Sequence, residues 1–330
     1  LENFKSMYGI TEEIEKEYPD VLDILLQDHS TKKNIVWGTD NYKNNGKGYH
    51  AEDTMKISSI SGKMRKLIKP RICKNEREQK KRSKDMAEVF TPSWVCNFQN
   101  NAVDEKWFGH KDAFNKDEGK TWIPTEKVIF DNDKTWQNYV QDLRLEITCG
   151  EAPYLTSRYD ATSGEQIPVG MRMGLLDRKI RVISENVKDE KEWMDWAKTA
   201  LKSVYGFDFQ GDNVLLAREN LFVDVLEFFQ NKFGKSFENE YANEIAQIIS
   251  WNIFQMDGMK YVVPYTCHNE EGIGQMSLDF LTGESVMPET SECPGCKTGD
   301  NSQHNGVYAK VMDWEKNRSV KFFDIVRGRK

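Results

Sequence analysis

The sequence predicts an α/β fold in which a small, partly helical N-terminal region leads into a larger domain, and three observations carry that prediction. Beyond Met86, short apolar runs alternate with stretches of helical periodicity, as a parallel sheet with crossover helices requires. Successive apolar runs end in an acid or a glycine-containing turn. The chain of 330 residues, 38% apolar and 30% charged, has material for one large unit and a smaller one. The expected division is a helical and basic region over 1–86 and the larger domain over 87–330, with a polar loop insertion at about 269–306.

Residues 11–28 read as helix on either side of Pro19, with Val21, Ile24 and Leu25 on one face. The Gly- and Asn-rich NIVWGTDNYKNNGKGYH reads as strand and turn. The basic segment that follows has few apolar residues and is expected to lean on something larger. YVQDLRLEIT (139–148) reads as a strand entering the turn CGEAPYL. EKEWMDWAKTALKSV (190–204) is an amphipathic helix, YGFDF (205–209) a short strand, and 214–233 and 240–250 two further helices. WNIFQMDGM (251–259) reads as strand and turn, and VYAKVMDW (307–314) and SVKFFDIV (319–326) as closing strands.

No window approaches the roughly 18 uncharged apolar residues of a membrane-spanning helix, and the acid-rich start is unlike a signal peptide. Six cysteines, mostly far apart except for the pair Cys293 and Cys296, do not read as a disulfide framework. A cytoplasmic protein is the expectation. Its net charge of −7 conceals a band from Lys56 to Lys84 with eight Lys and four Arg against Glu76 and Glu78. Such a band suits a phosphate backbone on an otherwise acidic, soluble protein; the alternative is a solvated helix and linker.

An acidic strand end, a glycine turn and a following helix make a site for a nucleotide-like ligand. LEITCGEAPYL has one glycine, Gly150, and two acids, Glu146 and Glu151. That chemistry disfavours a pyrophosphate and favours a ligand with positive charge near the turn, such as the sulfonium and ammonium of S-adenosylmethionine. The next strand ends in Asp208, placed to accept from ribose hydroxyls, followed by Phe209 for an adenine face. The third ends in Asp257 of an Asp-Gly turn, placed for an adenine amino group. Taken singly, each acid is as well explained as a helix cap or turn former.

In combination these segments resemble the class I S-adenosylmethionine-dependent DNA methyltransferases of restriction–modification systems, of the N6-adenine type. AEVFTPSWV (87–95) is similar to the motif that leads that family, LEITCGEAPYL to its first core motif, YGFDFQGDNVLLARENL (205–221) to the second and NIFQMDGM (252–259) to the third. LEITCGEAPYLTSRYD with GLLDRKIRV (174–182) is like proteins named restriction endonuclease subunit M. The resemblance covers residues 87–260 best. It implies a Rossmann-like methyltransferase sheet, with Phe90, Thr91 and Pro92 at the methionine end of the cofactor. Glu146 and Gly150 would lie beneath its charged centre with Thr148 in the same turn, Asp208 and Phe209 at the ribose and adenine, and Asp257 at the adenine edge.

The family's catalytic tetrapeptide, Asn/Asp-Pro-Pro-aromatic, which holds a flipped base, occurs nowhere in the sequence. VKFFDIVRGRK is similar to the strand that leads into it. The expectation is therefore a DNA adenine-N6 methyltransferase, or modification subunit, completed by a second subunit carrying the tetrapeptide and a target-recognition domain. The alternative is a non-catalytic subunit of the same fold that binds cofactor or DNA and supports a partner. A nuclease reading would rest on Asp257 and Lys260, or on Pro19-Asp20 with nearby acids, and neither set shows the acid, then Glu/Asp-x-Lys, pattern on adjacent strands.

Finally, ECPGCKTGDNSQHNG (292–306) places Cys293 and Cys296 at knuckle spacing, with His304 eight residues on. A structural zinc needs four ligands, and Cys267 and His268 are the candidates for completing the set. The alternative is a Pro-Gly turn between free thiols. His29, His50 and His110 read as surface or locally bonded. Trp193, Trp196 and Trp251 read as core.

Overall fold

Pro19 splits the first helical stretch as expected, giving α1 (Ile10–Glu17) and α2 (Val21–Leu26). The computed structural model describes residues 10–328 apart from Ala87, Phe90, Asn132 and 272–289. Short turns carry the chain through the basic segment to α3 (Glu76–Met86), and α4 (Ser93–Phe108) follows Pro92, whose fixed backbone starts it. The strand predicted over 139–148 shortens to β1 (Arg144–Glu146). Its first part winds into a helix over Trp136–Gln141, because Thr135 and Asn138 form a reciprocal capping box there.

From β1 the chain crosses through α5 (Leu175–Asn186) and α6 (Glu190–Lys202) to β2 (Val204–Asp208). It crosses again through α7 (Gly211–Phe233) and α8 (Asn239–Asn252) to β3 (Ile253–Gln255). The three strands are parallel in the order β1-β2-β3, with Glu146 opposite Gly206 and Asp208 opposite Gln255. The fold is mixed α/β. Both crossovers lead from the carboxyl end of one strand to the start of its neighbour, so the ends of β1, β2 and β3 gather along one edge of the sheet, where such sheets bind ligands.

One apolar core runs on both sides of Met86: Ile14, Leu22, Leu25 and Trp37 are buried in it together with Ile180, Trp193, Phe222 and Ile249. α8 packs against α2 and α6. Residues 35–37 lie across the far edge of the sheet, where the Gln255 side chain accepts from Val36 N at 2.8 Å and donates to Val36 O at 2.9 Å and Phe209 O at 2.8 Å. Among the described residues no helix is long and apolar enough to cross a membrane.

The end of the chain departs from expectation. Of the predicted final strand (319–326) only the first three residues are extended, within β5 (Arg318–Lys321), which pairs antiparallel with β4 (Lys310–Asp313) in a hairpin rather than joining the parallel sheet. Phe322–Val326 is helical, α9. Consecutive Phe322 and Phe323 are both buried while Ile325 and Val326 are exposed, a pattern a helical turn satisfies and an alternating strand does not. VKFFDIV is thus not a fourth parallel strand.

Candidate functional site

Two neighbouring groups of predicted residues form at the carboxyl edge of the sheet. The first surrounds Glu146. This residue ends β1, is only 8% exposed, and accepts from Tyr154 N at 3.3 Å and Leu155 N at 3.2 Å. Burial pushes its carboxyl up to about 8, the two backbone donors oppose that, and nearby Asp208 adds to it. Among the described residues no Lys or Arg pairs with it.

Asp208, at the end of β2, clips the turn to the sheet: Oδ2 accepts from Gly150 N at 3.0 Å, and Oδ1 from Gln210 N at 2.9 Å and Asn213 Nδ2 at 3.4 Å. Burial raises it to about 6, against those donors. One acceptor direction on Oδ2 is left over. Gly150 turns with φ of +55°, and a Cβ built on it would meet nothing within 4 Å, so the space over the turn is open. Thr148 is exposed, and its hydroxyl donates to Ile147 O at 2.7 Å.

The leading motif reaches the same place. Thr91 shares a side-chain hydrogen bond with Tyr154, the residue whose N–H holds Glu146. The Thr91 carbonyl accepts from Cys96 Sγ at 3.8 Å, and Ser93 N, just after Pro92, donates to Asp160 at 2.6 Å. Phe90 lies outside the described residues.

The second group lies around β3. Phe209 and Asp257 line a cavity of about 290 Å³ with Lys260, Tyr265, Cys267 and Cys296. The Phe209 and Tyr265 rings stand 5.9 Å apart at 69°. Asp257 turns the chain, its Oδ1 accepting from Met259 N at 3.0 Å and Lys260 N at 3.2 Å.

Beside that cavity, Cys267, Cys293, Cys296 and His304 bring one ligand atom each to within 4.8 Å of one another, a set that could hold a metal ion. The three sulfurs stand 3.6, 3.7 and 3.7 Å from His304 Nδ1. Burial opposes ionisation of Cys293, but the N–H groups of Asn305 and Cys296, with His304, outweigh it and draw the thiol down to about 6. The Pro-Gly of the knuckle is part of this construction. A Cβ on Gly295 would sit 2.6 Å from the backbone and ring of His304, so only glycine lets the two loops meet. Of the two completing residues offered by the sequence, Cys267 joins. His268 does not: it is exposed, with its ring against Thr266 O at 3.4 Å.

The basic band divides. Arg82 and Lys74 turn inward to Asp212 at the start of α7, at 2.7 and 3.4 Å, and Arg82 also meets Glu88 at 2.7 Å. Arg77, Lys80, Lys81 and Lys84 remain exposed, and Arg71, Lys80 and Lys84 rim an open cavity of about 420 Å³ on α3. Sequence reasoning missed the inward pair; its one available signal was Asp212 and Asn213 at a helix start with no assigned partner. His29, read as surface or locally bonded, is instead held by residues distant in sequence: it stacks on Trp251 at 3.9 Å, with its ring nitrogen 2.8 Å from Ser250 Oγ.

No family model matches the chain, and no curated protein or solved structure matches it either.

Proposed function

We propose that the chain binds S-adenosylmethionine along the carboxyl edge of a Rossmann-like sheet and serves as the cofactor-binding part of a DNA adenine-N6 methyltransferase. The observation that carries this reading is Glu146, a buried acid beside an open glycine turn with no cation among the described residues to neutralise it. Asp212, buried nearby, has two cations. An unpaired buried acid is costly unless a ligand supplies the charge, and a sulfonium and ammonium would do so. Thr91 by way of Tyr154 would border the methionine end, Asp208 would offer its remaining acceptor to a ribose hydroxyl, and Phe209 and Asp257 would take the adenine.

The cofactor would supply an electrophilic methyl group; the chain's own contribution would be positioning and exclusion of water. The exposed cations of α3 would meet DNA phosphates. The base-positioning tetrapeptide does not occur in residues 1–330, and catalysis would need it from outside them. A second reading is a non-catalytic subunit that binds cofactor or DNA and supports a partner: Phe322–Val326, read as the strand that leads into the tetrapeptide, is helical. Transfer of tritiated methyl to an adenine-containing duplex by the purified chain alone would decide for the enzyme.

The four-residue set beside the cavity we assign to Zn²⁺. Tetrahedral zinc with Zn–S near 2.3 Å and Zn–N near 2.1 Å separates sulfur from nitrogen by about 3.6 Å, in keeping with the spacing of the three sulfurs around Nδ1. With its Nε2–H donating to Asn301 Oδ1 at 3.3 Å, His304 keeps Nδ1 free as the ligand.

The cofactor reading makes a signed prediction. A cationic ligand needs Glu146 ionised, and below its value of about 8 the ionised fraction grows about tenfold per pH unit. Affinity for S-adenosylmethionine should therefore rise between pH 6 and 8, with proton release visible by calorimetry in buffers of different ionisation enthalpy. Glu146→Gln should weaken binding at least tenfold at pH 8 and flatten the pH profile. Equal affinity in variant and parent would remove Glu146 from the site.

A further inference from the structure

The metal set and the cavity share a wall. After β3 the chain runs through the Asp257 turn to Val262 and Val263, and on to Tyr265 and the metal ligand Cys267. That stretch is laced to the segment carrying His304: Val263 N donates to Val307 O at 2.8 Å, Ala309 N to Tyr261 O at 3.0 Å and His268 N to Asn305 Oδ1 at 3.2 Å. Cys293 and Cys296 come from a third stretch of chain, at the opening of the short helix Pro294–Thr298. Three separate stretches thus converge on four ligand atoms, and two of those ligands, Cys267 and Cys296, themselves line the cavity.

Lys260 links the two features. It follows Asp257 in the turn, its backbone N–H bonds to that residue's carboxylate, and its ammonium is near both Asp257 and the Cys296 sulfur. Zinc with three thiolates and a neutral imidazole carries one net negative charge, which a lysine at this position balances. Without an ion, the same wall would gather three sulfurs around one imidazole nitrogen that can accept well from only one of them, held by weak sulfur–nitrogen contacts alone. In small metal-bound folds, the binding energy of such an ion is folding energy for the segments it joins.

We propose that the metal ion held by Cys267, Cys293, Cys296 and His304 fixes the wall of the Phe209–Asp257 cavity, so that the cavity accepts an adenosyl ligand only in the metal-loaded protein. The second half of this statement rests on the cofactor reading above; the first half does not.

The test takes the full chain, zinc-loaded and after removal of the ion by a chelator, with zinc content followed by a chromophoric indicator. Hydrogen exchange reports on the wall, and calorimetry with S-adenosylmethionine reports on the cavity. Chelation should speed exchange at Val263, His268 and Ala309, whose N–H groups bond across the wall, at least tenfold while α7 stays protected. It should also weaken the ligand at least tenfold, and added zinc should restore both. Cys296→Ser, which removes one ligand without a chelator, should reproduce the effect. A chain that takes up no zinc, unchanged exchange in the wall, or loss of protection spreading through α7 would each overturn the proposal. Equal affinity with and without zinc would overturn the coupling and leave the cofactor reading standing. Absence of binding in both forms would overturn the cofactor reading, and the exchange data would still decide whether the metal holds the wall.

Discussion

Replacing Arg82 by methionine should lower the unfolding free energy by about 3–5 kcal/mol, the cost of removing one partner from a buried ion pair. Arg82 is 3% exposed. Its guanidinium donates to Asp212 at 2.7 and 3.3 Å and to Glu88 at 2.7 and 2.8 Å, with Asn213 Oδ1 at 3.1 Å. The variant leaves Asp212 to the Lys74 ammonium at 3.4 Å and the Tyr42 hydroxyl at 2.6 Å, and leaves Glu88 to Asn213 Nδ2 at 3.1 Å. Lys80→Met on the outer face of α3, where the lysine pairs with Glu76 across solvent at 3.5 Å, should change stability by less than about 0.5 kcal/mol. The pH dependence separates the two further. Burial would raise Asp212, but Arg82 and Lys74 override it and hold the carboxyl well below the usual range. A lowered folded value means that this stability is complete above about pH 4 and is lost as the solution is acidified through the folded value. Arg82→Met should therefore narrow the gap between parent and variant in strong acid. Urea titrations at pH 7 and pH 3 measure both, and a loss at pH 7 under about 1 kcal/mol would show that the acids find other partners.

The network also shows why part of the molecule was legible in the sequence and part was not. Periodicity located α6, α7, α8 and the strand before α7 because each buries a face whose spacing is local. Glu146 and Asp208 end neighbouring parallel strands, whereas Asp257 lies two residues past β3, in a turn that lines a cavity whose wall includes neither of them. The knuckle at Cys293 and Cys296 was visible through its spacing. What spacing could not show was pairing over long separations. Arg82 and Asp212 are 130 residues apart, and nothing local distinguishes Arg82 from exposed Lys81 beside it. Cys267 and His268 were equivalent candidates as neighbours, and only the fold turns one toward His304 and the other to solvent. VKFFDIV misled because its apolar content suits strand or helix, and the choice was made by Phe207 and Phe254 of the sheet, against which Phe322 packs at 5.8 and 5.3 Å between ring centres.

The converse case, a buried acid that no arginine satisfies, predicts a gain. Glu219 lies in the middle of α7 at 1% exposure. Burial pushes its carboxyl from 4.5 up to about 7, while the Thr11 hydroxyl of α1 and the charge of Arg158 pull it partly back. A folded value above the unfolded one means that the native state holds its proton longer. The contribution to stability is whole below about pH 4.5 and shrinks as the pH rises through 7. At pH 8 the shift amounts to roughly 3 kcal/mol of lost stability, at 1.36 kcal/mol per unit. Glu219→Gln keeps the shape of the neutral acid and cannot ionise, so it should stabilise the protein by about 2–3 kcal/mol at pH 8 and by much less at pH 5. Glu146 and Asp208, raised to about 8 and about 6, titrate in the same window. Parent and variant share them, so the difference between the two denaturation curves isolates Glu219. A difference that stays constant from pH 5 to 8, or a variant less stable at pH 8, would mean that the carboxylate is satisfied where it lies and that α1 packs over α7 with its charge intact.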